Sequence, residues 1–353
     1  MTKRENILSI LHRTGGDHIP FELSFTPRLQ AEFRERSGSE SVADYYDFDF
    51  REVGIGPSRF SHDYSEYYAD RTLHADVLFD SDGVAREPGD FEHFTHMVSP
   101  LAGPGTAAAD AEVYPLDDRD AEYRFANTKT TVEAFHRNGY AVRATVGHTF
   151  ETAWQIRGME DFLMDFHTSP AIPDILLERL TERNCGMIRQ FASMGVDIIR
   201  LGDDVGTQHG MMMSPDVWRS FLKPRLARII RTAKDINTDV LIFYHSDGNI
   251  DAIIPDLIEI GLDILNPVQP ECLDPVVCKK KYGDKLSFWG TMGTQSVMPF
   301  GTPDEVRKTV RHMIDEVGYD GGLVLAPTHV LEPEVPWANI DAYVTACREF
   351  GRR

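Results

Sequence analysis

Cysteine is scarce in this chain. Cys185, Cys272, Cys278 and Cys347 are the only four in 353 residues, and none stand at Cys-x-x-Cys spacing, which excludes a disulfide framework and fits a reduced compartment. Basic charge is short too: 36 lysines and arginines face 56 acidic residues, giving a formal charge of −20, and the basic clusters are Lys279-Lys280-Lys281 and Arg352-Arg353. Such a chain repels a phosphate backbone, so no nucleic acid is expected as a partner. No apolar run reaches the roughly 20 residues a bilayer demands, so no membrane is expected either. The opening Met1-Thr2-Lys3-Arg4-Glu5 lacks the apolar centre of a signal peptide, and the expectation is a cytoplasmic protein. No Gly-x-Gly-x-x-Gly follows a strand-like run, which argues against a dinucleotide-binding sheet.

What the chain does have is rhythm. Apolar runs at 141–146, 196–201, 240–244, 262–267, 285–289 and 322–326 alternate with helix-period segments at 170–194, 215–235, 250–260, 303–316 and 337–348. Runs of this length, rich in Val, Ile, Leu and Phe, read as strands buried on both faces, and their alternation with helices predicts a parallel sheet. Ser214-Pro215-Asp216 and Thr302-Pro303-Asp304 supply a cap and a first-turn proline. Near the amino end, a helix over 4–14 stops at Gly15-Gly16, Pro20–Phe25 reads as a first strand, and helical spacing resumes around 27–36. Residues 50–125 are irregular and read as a hairpin-containing insertion or lid. The expectation is a single α/β domain over 1–353, a (β/α)₈ TIM barrel, with 42% apolar residues for its core.

The residues after each run carry the chemistry. In order they are Glu22 and Ser24, Gly147-His148, Gly202-Asp203-Asp204, His245-Ser246-Asp247, Gln269, Gly290-Thr291 and Thr328-His329. Barrels build their sites at the carboxyl ends of their strands, so these side chains predict one concave pocket. His245, Asp247 and His329 together form a nitrogen and oxygen set suited to a divalent metal such as zinc. Duller readings exist for each: Asp203-Asp204 suit a turn and a cap, His148 a packed histidine, and Met211-Met212-Met213 an apolar wall.

Gly202-Asp203-Asp204-Val205-Gly206-Thr207-Gln208 with Ser214-Pro215-Asp216-Val217-Trp218, Tyr244-His245-Ser246-Asp247-Gly248, Asp263 to Gln269, Trp289 to Gln295 and Phe300 to Val306 resemble the uroporphyrinogen decarboxylase superfamily. That superfamily includes cobalamin-associated methyltransferases, and the resemblance implies the same barrel. Porphyrinogen decarboxylases grip many carboxylates with an arginine-rich amino-terminal segment. The matching stretch here offers only Arg28, with Glu22 beside it. The methyltransferase branch binds zinc through His-x-Cys and a later Cys, and His245, Asp247 and His329 stand at comparable spacing with both cysteines replaced. A His-Asp-His set is harder and less thiophilic.

The function implied is metal-dependent methyl transfer between a small methylated substrate and a corrinoid protein carrying cobalamin. Asp203, Asp204 and His148 are the candidate catalytic residues. Glu22, Arg28, Glu151, Gln208, Tyr244, Gln269 and Thr291 are candidates for substrate binding. The alternative is a metal-independent decarboxylase or lyase of a carboxylic acid, with Asp203 or Asp204 as acid. The resemblance also allows a homodimer.

Overall fold

The computed structural model describes residues 1–89 and 95–353. Its main sheet is parallel throughout. The strands in chain order are β1 (Phe50–Val53), β2 (Leu78–Phe79), β3 (Ala85–Pro88), β4 (Thr95–Val98), β5 (Ala141–Thr145), β6 (Ile198–Gly202), β7 (Leu241–His245), β8 (Ile264–Asn266), β9 (Ser287–Trp289) and β10 (Leu323–Val324). Seven of them form one sheet in the order β1-β5-β6-β7-β8-β9-β10, and β2-β3-β4 form a separate antiparallel sheet. All six strand-like runs of the carboxyl-terminal part are present.

The sheet curls onto itself. The Phe50 ring of β1 lies 5.2 Å from that of Trp289 on β9, and Phe243 of β7 meets the same indole at 5.4 Å. Strands that are far apart in sheet order can touch through their side chains only if the sheet bends round a common interior. Between its two edges runs the segment Pro20–Phe25, where a regular strand is expected. It makes isolated parallel bridges, Phe21 to Leu325 and Phe25 to Leu331, with Glu22 N donating to Leu325 O at 2.9 Å and Leu325 N to Pro20 O at 2.9 Å. Pro20 has no N–H to give, so the ladder is broken at its start. The barrel thus has seven regular strands and one irregular eighth segment.

Residues 50–53 also differ from expectation. The stretch that reads as irregular from residue 50 begins with a strand of the main sheet, registered from Phe50 opposite Ala141 to Val53 opposite Ala144. Its sequence, Phe50-Arg51-Glu52-Val53, hides this because two of its four residues are charged. Arg51 is buried over the Tyr140 ring and bonded to the carbonyls of Phe48 and Phe50. The hairpin expected within 50–125 is present: β2 and β3 pair antiparallel through Phe79 and Ala85.

Helices wrap the sheet. Lys223–Ile236 buries Leu226, Ile229, Ile230 and Ala233, the i, i+3, i+4, i+7 stripe of a helix with one face inward. The region expected as one helix over 215–235 is two, Pro215–Phe221 and Lys223–Ile236, because Pro224 cannot donate to the preceding turn. Thr302 and Glu305 close a capping box on Pro303–Glu316.

At the amino-terminal end, His18 Nε2 lies 3.0 Å from Asp49 Oδ1, and Asn6 Nδ2 donates to Asp49 Oδ2 at 2.6 Å. This links the first helix, Lys3–Leu11, to the entry of β1. The hydrogen bond to Asp49 raises the His18 pKa above the usual histidine value, against partial burial. A raised folded value means stabilisation that is complete below the unfolded pKa, about 6.5, and is lost as pH climbs through the folded one. Thermal unfolding of the wild type and His18→Gln at pH 5.5 and 8 checks this: the wild type's advantage should shrink on going to pH 8, and an advantage that grows with pH would refute it.

Candidate active site

Strands β6, β7 and β8 end level with one another: Gly202 pairs with His245, and His245 with Asn266. Their exits therefore deliver Asp203-Asp204, His245 to Asp247 and Asn266 to one spot. Two loops are pressed together there. A Cβ on Gly248, which has φ +80°, would sit 2.7 Å from backbone atoms of Gly206 and Thr207, so only glycine lets the chain pass.

His245 is held from behind. Its Nδ1 lies 2.5 Å from Asn266 Oδ1, while Asn266 Nδ2 donates to Trp289 O at 2.7 Å. The second bond fixes the amide's orientation, so Oδ1 must accept and Nδ1 must carry the hydrogen. The lone pair of Nε2 is left facing Asp204 Oδ1 at 3.6 Å and Asp247 Oδ1 at 3.9 Å. Burial lowers the His245 pKa and raises that of Asp247. Asp247 Oδ1 is buried and has no hydrogen-bond partner among the described residues. Donor atoms of Asp204, His245 and Asp247 all lie within 4.8 Å of one another. An orphaned carboxylate oxygen beside a neutral imidazole lone pair is costly unless a cation completes it, and one imidazole with two carboxylates suits a divalent ion.

A second group adjoins the first. His148 Nδ1 hydrogen-bonds to Glu151 Oε1, Glu151 N donates to Asp203 Oδ1 at 3.0 Å, and Asp204 N donates to Glu151 Oε1 at 2.9 Å. Burial pushes the Asp203 carboxyl up to about 7, partly opposed by His148. Burial works against a charged His148, but its bond to Glu151 together with the charges of Glu151, Asp203 and Asp204 outweighs that and raises its pKa; the same bond helps hold Glu151 low against burial. His148 and Glu151 open onto a cavity of about 820 Å³ that reaches Asp82 and Arg86 beside the antiparallel sheet.

The remaining expected site residues scatter. His329 is exposed, outside the three-donor cluster, though it lines the same cavity as His245. Glu22 lies in that cavity and accepts from Trp289 Nε1 at 2.7 Å. Arg28 is exposed on the helix Pro27–Ser37 and pairs with Glu32 at 3.7 Å. Tyr244 is fully buried on the helix side, its hydroxyl donating to the Asp203 carbonyl at 3.3 Å. Gln208 is exposed, bonded to Gln295 at 2.8 Å and to the Cys272 thiol. Gln269 is buried and accepts from Gly248 N at 3.3 Å. The Thr291 hydroxyl is buried without a partner.

Three residues that line the cavity shared by His245 and His329 escape sequence reasoning: Arg143, Arg200 and Asn266. Each sits inside an apolar run, and the available signal was a polar residue interrupting a buried strand. Replacing Asn266 by Leu removes the acceptor that fixes His245, and divalent-metal affinity should fall about 10–100-fold. Competition against a chelating dye measures this, and unchanged affinity would remove Asn266 from the site.

A curled parallel sheet whose strand ends gather imidazoles and carboxylates defines a TIM-barrel-type fold with a candidate metal centre. The chain belongs to the uroporphyrinogen decarboxylase (URO-D) family, whose pattern matches residues 98–350. It is 27% identical over 175 residues to the methylcobamide:CoM methyltransferase MtaA of Methanosarcina barkeri, covering 49% of this chain and 48% of that one. It is 24% identical over 203 residues to a methylated-thiol–coenzyme M methyltransferase of Methanosarcina mazei, covering 57% and 51%. The chain thus spans about half the length of these curated relatives. In structure it matches a methyltransferase from Methanosarcina mazei over 99% of both chains, with a TM-score of 0.69 and 18% identity, a likeness of fold. Among the described residues no helix is long and apolar enough to cross a membrane.

Proposed function

We propose that this protein is a metal-dependent methyltransferase that moves a methyl group between a small methylated substrate and a corrinoid protein. The observation that carries the reading is the presented Nε2 of His245 beside the orphaned Asp247 Oδ1. Similarity to curated methyltransferases supports the reaction class. Asp204, His245 and Asp247 would hold the ion, zinc by the chemistry of the set, with His329 across the cavity as a further donor. A divalent ion bound there supplies Lewis acidity to the substrate's heteroatom.

The protein's own groups do the rest. In demethylation the carbon–heteroatom bond breaks, the heteroatom keeps the electron pair, and the methyl group leaves to the acceptor's lone pair. His148, whose protonated form Glu151 favours, and Asp203, pushed up to about 7, stand beside the proposed metal ligands as proton carriers for that heteroatom. The neighbouring cavity of about 820 Å³ is the route by which the acceptor approaches.

The test combines metal analysis with turnover. Mass spectrometry should find about one divalent ion per chain, and the metal-loaded protein should convert methylcobalamin to demethylated cobalamin, followed by its visible spectrum, when given a methyl-accepting thiol, alcohol or amine. Protein that remains folded and metal-free after supplementation, or that releases carbon dioxide from an acid without metal, would replace this reading by the carboxy-lyase one.

A further inference from the structure

Beneath the metal-binding cluster lies a cavity of about 320 Å³ whose wall is cationic at an unexpected place. Arg143 and Arg200 both point into it, from the middles of β5 and β6. Arg143 is occupied: it bridges Glu52 at 2.7 Å and Glu22 at 3.1 Å, and its guanidinium stacks over Phe50 at 4.4 Å. Arg200 is not. Its Nε is buried with no acceptor, and among the described residues no carboxylate or carbonyl pairs with its guanidinium. The ring of Phe243 lies 5.7 Å from its guanidinium carbon, and Glu22, Glu52 and Asp204 act on it through charge alone.

The N–H donors of this partly buried planar cation include an Nε with no partner, and leaving a buried donor unmatched is costly. A structural arginine would be expected to spend them on backbone carbonyls, as Arg51 does with Phe48 and Phe50 in this same barrel. Burial and, after it, the Arg143 charge weaken the protonated state of Arg200 by more than the charges of Glu22, Glu52 and Asp204 restore, so an incoming anion in direct contact would relieve an existing penalty. Charge balance permits it. Glu22 and Glu52 are spoken for by Arg143, and Asp204 and Asp247 by the divalent ion of the proposed reading.

Position turns this into a statement about the ligand. Arg200 pairs in register with Phe243 and Gly202 with His245, so Arg200 lies two residues below the level of His245, roughly 7 Å along the strand at about 3.3 Å per residue. We propose that Arg200 is the carboxylate-binding residue of the substrate cavity, and that the substrate class is a small monocarboxylic acid bearing its methylated heteroatom one or two carbons from the carboxyl group. The carboxylate takes two parallel N–H bonds from the guanidinium, which points the other end of the molecule at His245 and Asp204. Such a spacing excludes long-chain acids, and the volume excludes a tetrapyrrole. This rests on the methyltransferase reading for the heteroatom, while the carboxylate contact stands on Arg200 alone.

The test is equilibrium binding to the full-length, metal-loaded protein by isothermal titration calorimetry, with methoxyacetate, 3-methoxypropionate, 2-methoxyethanol and ethanesulfonate as probes. The acids should bind at least tenfold more tightly than the neutral ether. Arg200→Met should erase that preference, and Arg200→Lys should keep part of it, with metal content unchanged in both. Equal binding of acid and ether by the wild type would overturn the proposal without any variant being needed. Tighter binding of ethanesulfonate than of either acid would overturn the carboxylate assignment. Arg200-dependent acid binding in protein that never transfers a methyl group would uphold Arg200 and fail the methyltransferase reading, so the two are separable.

Discussion

His245→Ala is expected to leave a folded protein that no longer retains its divalent ion and transfers methyl groups at least on the order of 10³-fold more slowly. Lewis-acid stabilisation contributes several kcal/mol, and each 1.4 kcal/mol is about a factor of ten in rate. The effect is large because His245 is the single imidazole in the three-donor cluster. It also receives the whole Asn266–Trp289 support. His329→Ala should cost less, because His329 is exposed at the cavity rim and lies outside that cluster. Metal content by mass spectrometry and the methylcobalamin spectrum read the two variants side by side. Full metal occupancy in His245→Ala would move the site elsewhere, and equal losses in the two would restore the His245, Asp247 and His329 set as the centre.

The second large effect is on stability. Asp82, in the turn before β3, forms a two-pronged pair with Arg183 of the long helix Ala171–Ser193, Nη1 to Oδ1 at 2.5 Å and Nη2 to Oδ2 at 3.3 Å. Both side chains are about 95% shielded from solvent, at 5% and 4% exposure. Burial works against the Asp82 carboxylate, and Arg183 more than compensates, holding its pKa low. Asp82→Ala strands a buried guanidinium, and breaking one side of such a pair costs about 3–5 kcal/mol. Urea unfolding should show that loss, and the paired change Asp82→Leu with Arg183→Met should recover most of it. A loss under about 1 kcal/mol in Asp82→Ala would mean that water or the Asp117 carbonyl, 3.5 Å from Arg183 Nη1, takes over. Since Asp82 also lines the larger cavity beside His148, the same variant should loosen that cavity's wall.

The barrel was legible wherever local composition and tertiary role agreed. Leu241–His245 is apolar until its last residue because both its faces are covered, and the first polar group falls where the strand emerges at the site. The same logic placed Asp203, Asp204 and Asp247 at strand exits. It failed at Phe50–Val53, where Arg51 and Glu52 mask a strand that pairs fully with β5, and at Pro20–Phe25, where a strand-like run makes only two bridges.

By itself, then, the sequence determined the periodic elements and the ionisable groups at their ends, since those depend on residues close along the chain. Only the tertiary structure decided which of these groups meet. Asp204 comes within 3.6 Å of His245 Nε2 because β6 and β7 are neighbours in register, while His329 follows β10, three strands from β7 in sheet order, and meets His245 only across a shared cavity. The orientation of His245 likewise comes from Asn266, one strand over, and the unmatched charge of Arg200 from Arg143 having claimed both glutamates. Such pairings follow from sheet register and curvature, which no local stretch of sequence encodes.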